Sequence, residues 1–293
     1  MKCNLCPRKC NVDRDKACGY CGMSNTLRVA VVKKHMDEEP CISGVNGSGT
    51  IFFSGCNLKC VYCQNNEISN KMCGVDIGVD RLAEIFKELE GSGVHNINLV
   101  TPTHYVDKIK QALDLYKPNI PIVYNTSSYD SAQSIAGLKG YVDIFLADYK
   151  YYDDNLAFKY SKAVDYRQIA ESAIDEMLKI SPRCIYDENG IMQKGVIVRH
   201  MVLPGCAKDS VRVLNRIKEK YGDSVQCSVM SQYVPCGDAI RYPEINRKLK
   251  PIEYKYVINE CIKLGLDAYA QEMSSADKCY IPEFDGKGVL NEI

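Results

Sequence analysis

From Thr50 onward, short apolar or β-branched runs recur along the chain, with helical periods between them. Residues 51–53, 96–100, 122–124, 142–147, 196–198 and 225–230 read as buried strands. Leu82, Ile85, Phe86 and Leu89 fall on one helical face, and Gly91 is placed to cap it. Val106, Ile109, Leu113 and Tyr116 form a second stripe, closed by Pro118. Val211, Leu214 and Ile217 form a third, and Tyr256, Val257, Cys261 and Leu264 a fourth that Gly265 ends. Residues 268–271 add a late strand. This alternation predicts βαβ units and a parallel sheet. It suits either an incomplete barrel or an open doubly wound sheet, and in both the ligand sits at the carboxyl ends of the strands.

Residues 1–45 depart from the pattern. They show little apolar periodicity and hold Cys3, Cys6, Cys10, Cys18, Cys21 and Cys41. Gly44-Val45-Asn46-Gly47-Ser48-Gly49 follows, which predicts a small Cys-rich extension over 1–45 and a domain over 46–293. The chain has 293 residues, so it can bury a core without disulfide staples. It has 16 Cys, no apolar signal-peptide core at its start and no long apolar run, which predicts a cytoplasmic protein off the membrane. Its 37 basic and 37 acidic residues leave no net charge, so no nucleic-acid partner is expected. In a reducing compartment this many thiols point to metal binding or redox chemistry.

The residues after the first of these strands sharpen that. They read Ser54-Gly55-Cys56-Asn57-Leu58-Lys59-Cys60-Val61-Tyr62-Cys63-Gln64-Asn65. The Cys-x3-Cys-x2-Cys spacing lets Cys56, Cys60 and Cys63 each bind one iron of a [4Fe–4S] cube. The fourth iron then stays open to a small molecule. A structural zinc knuckle usually wants four ligands in paired spacings, and this loop offers three.

Cys-x3-Cys-x2-aromatic-Cys after the first strand of a βα array resembles the radical S-adenosylmethionine (SAM) superfamily. Within it the chain is most similar to pyruvate formate-lyase activating-enzyme-like proteins. The segments that carry this are 42–69, Asn96 to Tyr105, Ala147-Asp148-Tyr149-Lys150, Val198 to Gly205 and Met230-Ser231-Gln232-Tyr233. The resemblance implies an α/β fold, a partial (β/α)6 TIM-type barrel. It implies a [4Fe–4S] cluster whose open iron is chelated by SAM, and one-electron cleavage of SAM to a 5′-deoxyadenosyl radical that abstracts hydrogen from a substrate. It also implies an electron donor such as flavodoxin or ferredoxin, and as substrate the glycine of a glycyl-radical enzyme, another peptide or a small molecule. A protein of another class, an iron–sulfur electron carrier or a zinc-binding module without catalysis, would share the thiols but not the cleavage.

The resemblance also places SAM contacts at the strand ends. Tyr62 packs near adenine. Thr101-Pro102-Thr103 stands where Gly-Gly-Glu often meets the SAM amino group, which makes Thr103 the candidate there, with helix capping as its other role. Asn125, Thr126 and Ser127 replace Asp-Thr-Asn, so Asn125 and Ser127 are contacts that lack a carboxylate. Asp148, Lys150 and Arg199 complete the set. His104 is either a proton shuttle or a hydrogen-bonded loop histidine. Gln232 is a candidate substrate or adenine contact.

Cys3, Cys6, Cys10, Cys18 and Cys21 contain two Cys-x2-Cys pairs, a spacing for zinc or a second iron–sulfur cluster, with Cys41 and His35 as spare ligands. Cys227 and Cys261 read as core thiols, while Cys206 and Cys236 follow strands closely enough to approach the cavity.

Overall fold

The computed structural model describes residues 2–276 and 283–290. After the N-terminal segment come β1 (Leu27–His35), α1 (Pro40–Ser43), β2 (Ser48–Phe53), α2 (Asn66–Ser69), β3 (Val75–Ile77) and α3 (Val79–Gly91). Then follow β4 (Ile97–Val100), α4 (Val106–Leu115), β5 (Ile122–Thr126), α5 (Ala132–Ala136), β6 (Ile144–Asp148), α6 (Asp154–Ser161) and α7 (Tyr166–Ile180). The chain continues through β7 (Ile185–Tyr186), β8 (Met192–Met201), α8 (Ala207–Lys220), β9 (Gln226–Met230), α9 (Pro251–Lys263) and β10 (Ala268–Ala270).

The strands order as β10-β9-β8-β6-β5-β4-β2-β1-β3, with β7 paired to β8 off that path. From β2 to β10 every pairing along the path is parallel. The path has two ends, so this is the open, partial barrel of an α/β protein. Apolar stripes on the long helices cover its outer face: Leu82, Phe86 and Leu89 of α3, Ile109 and Leu113 of α4, Ile174 and Met177 of α7, and Val213 and Ile217 of α8 all join one core.

Every strand expected from periodicity is present. Residues 27–35 are a finding. The sequence groups them with the Cys-rich extension, yet they form β1, antiparallel to β2 and to β3. The sheet therefore begins ahead of the expected division at residue 45. Helices α6 and α7 also go beyond the expected set. Tyr166, Ala170, Ala173, Ile174 and Met177 form the helical stripe of α7, and all are buried.

Glu171 ties α7 to its neighbours. Its Oε1 accepts from Arg216 Nε of α8 at 3.0 Å and from the Tyr149 hydroxyl at 2.8 Å, and its Oε2 accepts from Arg216 Nη2 at 2.9 Å. Burial works to raise this carboxyl, but the Arg216 and Tyr149 hydrogen bonds outweigh it and hold it down at about 2. A depressed carboxylate stabilises the fold above its ordinary value of 4.5 and loses that contribution as pH falls toward 2. Urea melts of Glu171→Gln across this range are expected to show a shallower acid dependence than the parent. An unchanged slope would place the acid response elsewhere.

Candidate active site

Strand period of two puts alternate residues on the inner face of the barrel. At the N-terminal ends of the strands this face is apolar: Val123, Ile144, Leu146 and Ile197 pack with Cys41, Ile42 and Met192. One step along each strand it turns polar, with Asn98, Asn125, Asp148, Arg199 and Ser228. Above that layer a cavity of about 560 Å³ opens toward the carboxyl ends. Cys56, Cys60 and Cys63 line it, as do Tyr62, Thr103, Asn125, Ser127, Asp148, Lys150, Arg199 and Gln232. The structure thus brings the loop thiols and the strand-end candidates other than His104 to one space.

The thiol loop is held by hydrogen bonds from several directions. Leu58 N–H donates to Cys56 Sγ at 3.4 Å, the Ser161 hydroxyl to Cys60 Sγ at 3.0 Å, and the Ser69 hydroxyl to Cys63 Sγ at 3.2 Å. Ser161 also pairs with the Tyr151 hydroxyl at 2.7 Å, which pairs with that of Tyr62 at 2.5 Å. Burial drives Cys56 up to about 12 and Cys60 up to about 11, with Lys150 opposing at Cys60.

Opposite the thiols lies an ion network. Arg199 Nε donates to Asp148 Oδ1 at 2.9 Å, its Nη2 to Asn125 Oδ1 at 2.6 Å, and its Nη1 to Glu38 Oε2 at 3.1 Å. Lys150 Nζ donates to Asp148 Oδ2 at 2.7 Å. Burial favours neutral Asp148, but Arg199 and then Lys150 override it and hold the carboxyl below its usual range. Glu38 and Glu39 go the other way: burial raises both against the pull of Arg199. The sequence reading missed these two acids. The only signal for them was an acidic run, Asp37-Glu38-Glu39, ahead of Pro40.

The remaining candidates divide. The Thr103 hydroxyl faces Asp130 and Tyr124 and caps no helix. His104 is buried with its Nε2 at 2.7 Å from the Ser54 carbonyl, and burial pushes it down to about 3. That is the hydrogen-bonded loop histidine, not a shuttle. Gln232 Oε1 accepts from Gln271 at 3.0 Å. Cys236 Sγ donates to the Tyr62 carbonyl at 3.1 Å, behind the thiol loop, and Cys206 packs against the core. Cys227 and Cys261 are buried as expected, and Cys279 lies outside the described residues.

In the N-terminal segment, Cys10 and Cys21 Sγ stand 3.4 and 3.5 Å from the point where a Cβ on Gly19 would lie. The Cys3 and Cys10 thiols are in hydrogen-bond contact. Cys6 turns toward Asn57, Cys18 is exposed, and Cys41 sits in the apolar floor.

The sequence model of the Radical SAM superfamily matches residues 50–211, more than half of the chain. The chain belongs to the radical SAM superfamily. It is therefore an enzyme of SAM-dependent radical chemistry, and membership implies a [4Fe–4S] cluster. It is 30% identical over 274 residues to an uncharacterized protein of Methanocaldococcus jannaschii, covering 90% of this chain and 75% of that one. It is 29% identical over 106 residues to a 7-carboxy-7-deazaguanine synthase of Methanothermobacter thermautotrophicus, covering 36% and 43%. Among solved structures, Streptococcus suis SuiB bound to its precursor peptide SuiA superposes with a TM-score of 0.50 at 15% identity, over 74% of this chain but only 46% of SuiB. A methylornithine synthase superposes with a TM-score of 0.50 at 13% identity, over 76% and 70%. At such identities the two structures support the fold alone.

In this radical SAM chain the glycine before the first loop cysteine has a structural reason. Gly55 has φ +83°, and a Cβ there would meet Met23 Cγ at 2.2 Å and the Cys21 carbonyl at 2.9 Å. Cys56 N–H donates to that same carbonyl at 3.2 Å. Gly55→Ala is expected to cost about 1–3 kcal/mol in chemical denaturation. Gly78→Ala, with nothing within 4 Å and ordinary backbone, should cost far less. Equal costs would mean that the loop yields freely.

Proposed function

We propose that Cys56, Cys60 and Cys63 hold a [4Fe–4S] cluster at the cavity mouth, and that SAM binds between this loop and the polar layer. A substrate in the same cavity then loses a hydrogen atom. The observation that carries this is the convergence of three thiols and the strand-end polar groups on one space.

The donor set fits a cluster. Each sulfur accepts a hydrogen bond, which favours thiolate, and the buried position that raises Cys56 and Cys60 is relieved by cationic iron. Among the described residues no three His, Cys, Asp or Glu side chains converge on a single-ion position. Cube ligands serve different corners and need no such convergence. When bound, the cluster supplies the electron that splits a C–S bond of SAM and yields a 5′-deoxyadenosyl radical.

The chain's own groups bind, orient and shelter. The Lys150 ammonium, held by Asp148, is the candidate partner of the SAM carboxylate. Thr103 and Ser127 line the wall on the β4 and β5 side, and Tyr62 is fixed by its hydroxyl pair with Tyr151. Phe52, Val100, Met201 and Met230 keep water from the reacting carbon. All three guanidinium nitrogens of Arg199 are engaged within the protein, so it acts by positioning Asp148 and Asn125.

The cavity is of ordinary ligand size. It admits a small molecule or one residue of a peptide, such as the glycine of a glycyl-radical enzyme. A low-potential flavodoxin or ferredoxin is proposed as reductant. The N-terminal cysteines Cys3, Cys6, Cys10, Cys18 and Cys21 are proposed to hold a second metal, zinc or iron–sulfur; Cys3, Cys10 and Cys21 lie nearest one another, and a single zinc requires their side chains to turn further inward.

Anaerobic reconstitution followed by dithionite and SAM is expected to release 5′-deoxyadenosine, and Cys60→Ala to abolish it. A reducible cluster that yields no 5′-deoxyadenosine would overturn the catalytic reading. Ser161→Ala removes a hydrogen bond to a cluster sulfur, so the midpoint potential followed by electron paramagnetic resonance should move to more negative values. The Cys56/Cys60/Cys63 triple Ala variant should retain metal at the N-terminal thiols: about four iron per chain for a second cube, one zinc for a structural site. Loss of all metal from a folded variant would remove the second site.

A further inference from the structure

We propose that the floor of the cavity is a binding site for an ammonium or guanidinium group of the substrate, received by Glu39 and Glu38. The inference rests on the reading that substrate and SAM share this cavity.

The two acids enter the barrel from below. His35 pairs with Ser48 at the start of β2, so the segment after β1 emerges at the N-terminal ends of the parallel strands. Pro40 then starts α1, whose Cys41 and Ile42 plug the apolar layer. This directs Glu38 and Glu39 to the polar layer above it, where both line the cavity.

The carboxylates differ in what they have. Glu38 is satisfied: its Oε1 accepts from Asn98 at 2.9 Å and from Asn125 at 3.2 Å, and its Oε2 from Arg199 at 3.1 Å. The Glu39 side chain is 7% exposed, and its Oε2 lies 3.8 Å from Arg199 Nη1, beyond hydrogen-bond distance. That oxygen is buried without a hydrogen-bond partner, and so is Asn98 Oδ1 nearby. A buried acceptor left open is costly, and Glu39, which lines the cavity, calls for a donor from there.

Charge points the same way. Glu38, Glu39 and Asp148 are packed against Arg199 and Lys150, three carboxyls to two cations before Asp37 at the edge is counted. His35, also lining, is kept toward its neutral form by burial. A cationic group supplies both the donors and the missing charge, while a carboxylate or phosphate supplies neither.

SAM also carries an ammonium group, so the source must be assigned. The stretch that is the candidate for the SAM ammonium is Thr101 to Thr103. Asn98, the partner of Glu38, stands three residues earlier on β4, about 10 Å lower along the strand. The acids therefore sit beneath the level of the thiol loop, where the end of a substrate anchored at the floor leaves its carbons pointing toward the mouth.

The test uses the anaerobically reconstituted protein and calorimetric titration with pentylammonium and agmatine, against 1-pentanol as the neutral comparison. The expected result is saturable binding of both cations, at least about tenfold tighter than pentanol and about tenfold weaker in Glu39→Gln. Saturating S-adenosylhomocysteine should leave it intact. Cations that bind no better than pentanol, or that bind Glu39→Gln unchanged, overturn the proposal. Displacement by S-adenosylhomocysteine also overturns it and gives the acids to the SAM ammonium. The wild-type comparison stands even where the variant fails to fold. Cation binding without 5′-deoxyadenosine release would sink the radical reading alone, and the converse would sink the floor site alone.

Discussion

Arg199 is the point on which the interior of the barrel depends. A buried guanidinium costs several kcal/mol unless opposed by charge and hydrogen bonds. Here it is met by Asp148 of β6, Asn125 of β5 and Glu38 of the segment after β1. Those contacts draw three separate parts of the chain to one level. Beneath them the barrel closes with aliphatic side chains, and above them it stays open. A polar layer tied together by Arg199 keeps the cavity from collapsing, since the groups that bond to it cannot be packed against hydrocarbon without losing partners.

The N-terminal segment performs the matching task at the mouth. Arg8 donates to the Asn57 carbonyl at 2.8 Å and to the Lys162 carbonyl at 2.6 Å, bridging the thiol loop to α6. Its guanidinium also lies over the rings of Tyr20 and Tyr129. Arg14 reaches the His104 carbonyl at 2.5 Å behind β4. The Cys21 carbonyl receives Cys56 N–H, and Gly55 lets the two backbones approach. The segment is thus a brace on the loop.

The parallel strands and the thiol loop were legible because their information is local. A strand shows its period over four or five residues, and the loop shows its spacing over eight. Glu38 and Glu39 were not legible for the opposite reason. An acidic pair before a proline reads as a solvated turn, and only Arg199, far along the chain, makes it an interior feature. Strand β1 was hidden by the cysteines around it, which drew residues 27–35 into the extension. His104 looked chemical because histidine is scarce here, yet its ring serves the Ser54 carbonyl.

Asn125 shows how the two ends of the cavity constrain each other. From the resemblance alone it looked like a weakened SAM contact, an amide where a carboxylate is usual. In the structure its carbonyl oxygen accepts from Arg199 and its amide donates to Glu38. An Asp there would lose the donor to Glu38 and add a further carboxylate to a site already short of positive charge. With Glu38 and Glu39 present, the amide is the group that fits. Asp148 then becomes the one carboxylate shared between Arg199 below and Lys150 above. A charge arriving at either end changes how strongly Asp148 is held by the other, so the floor and the mouth are separate positions joined through one carboxylate.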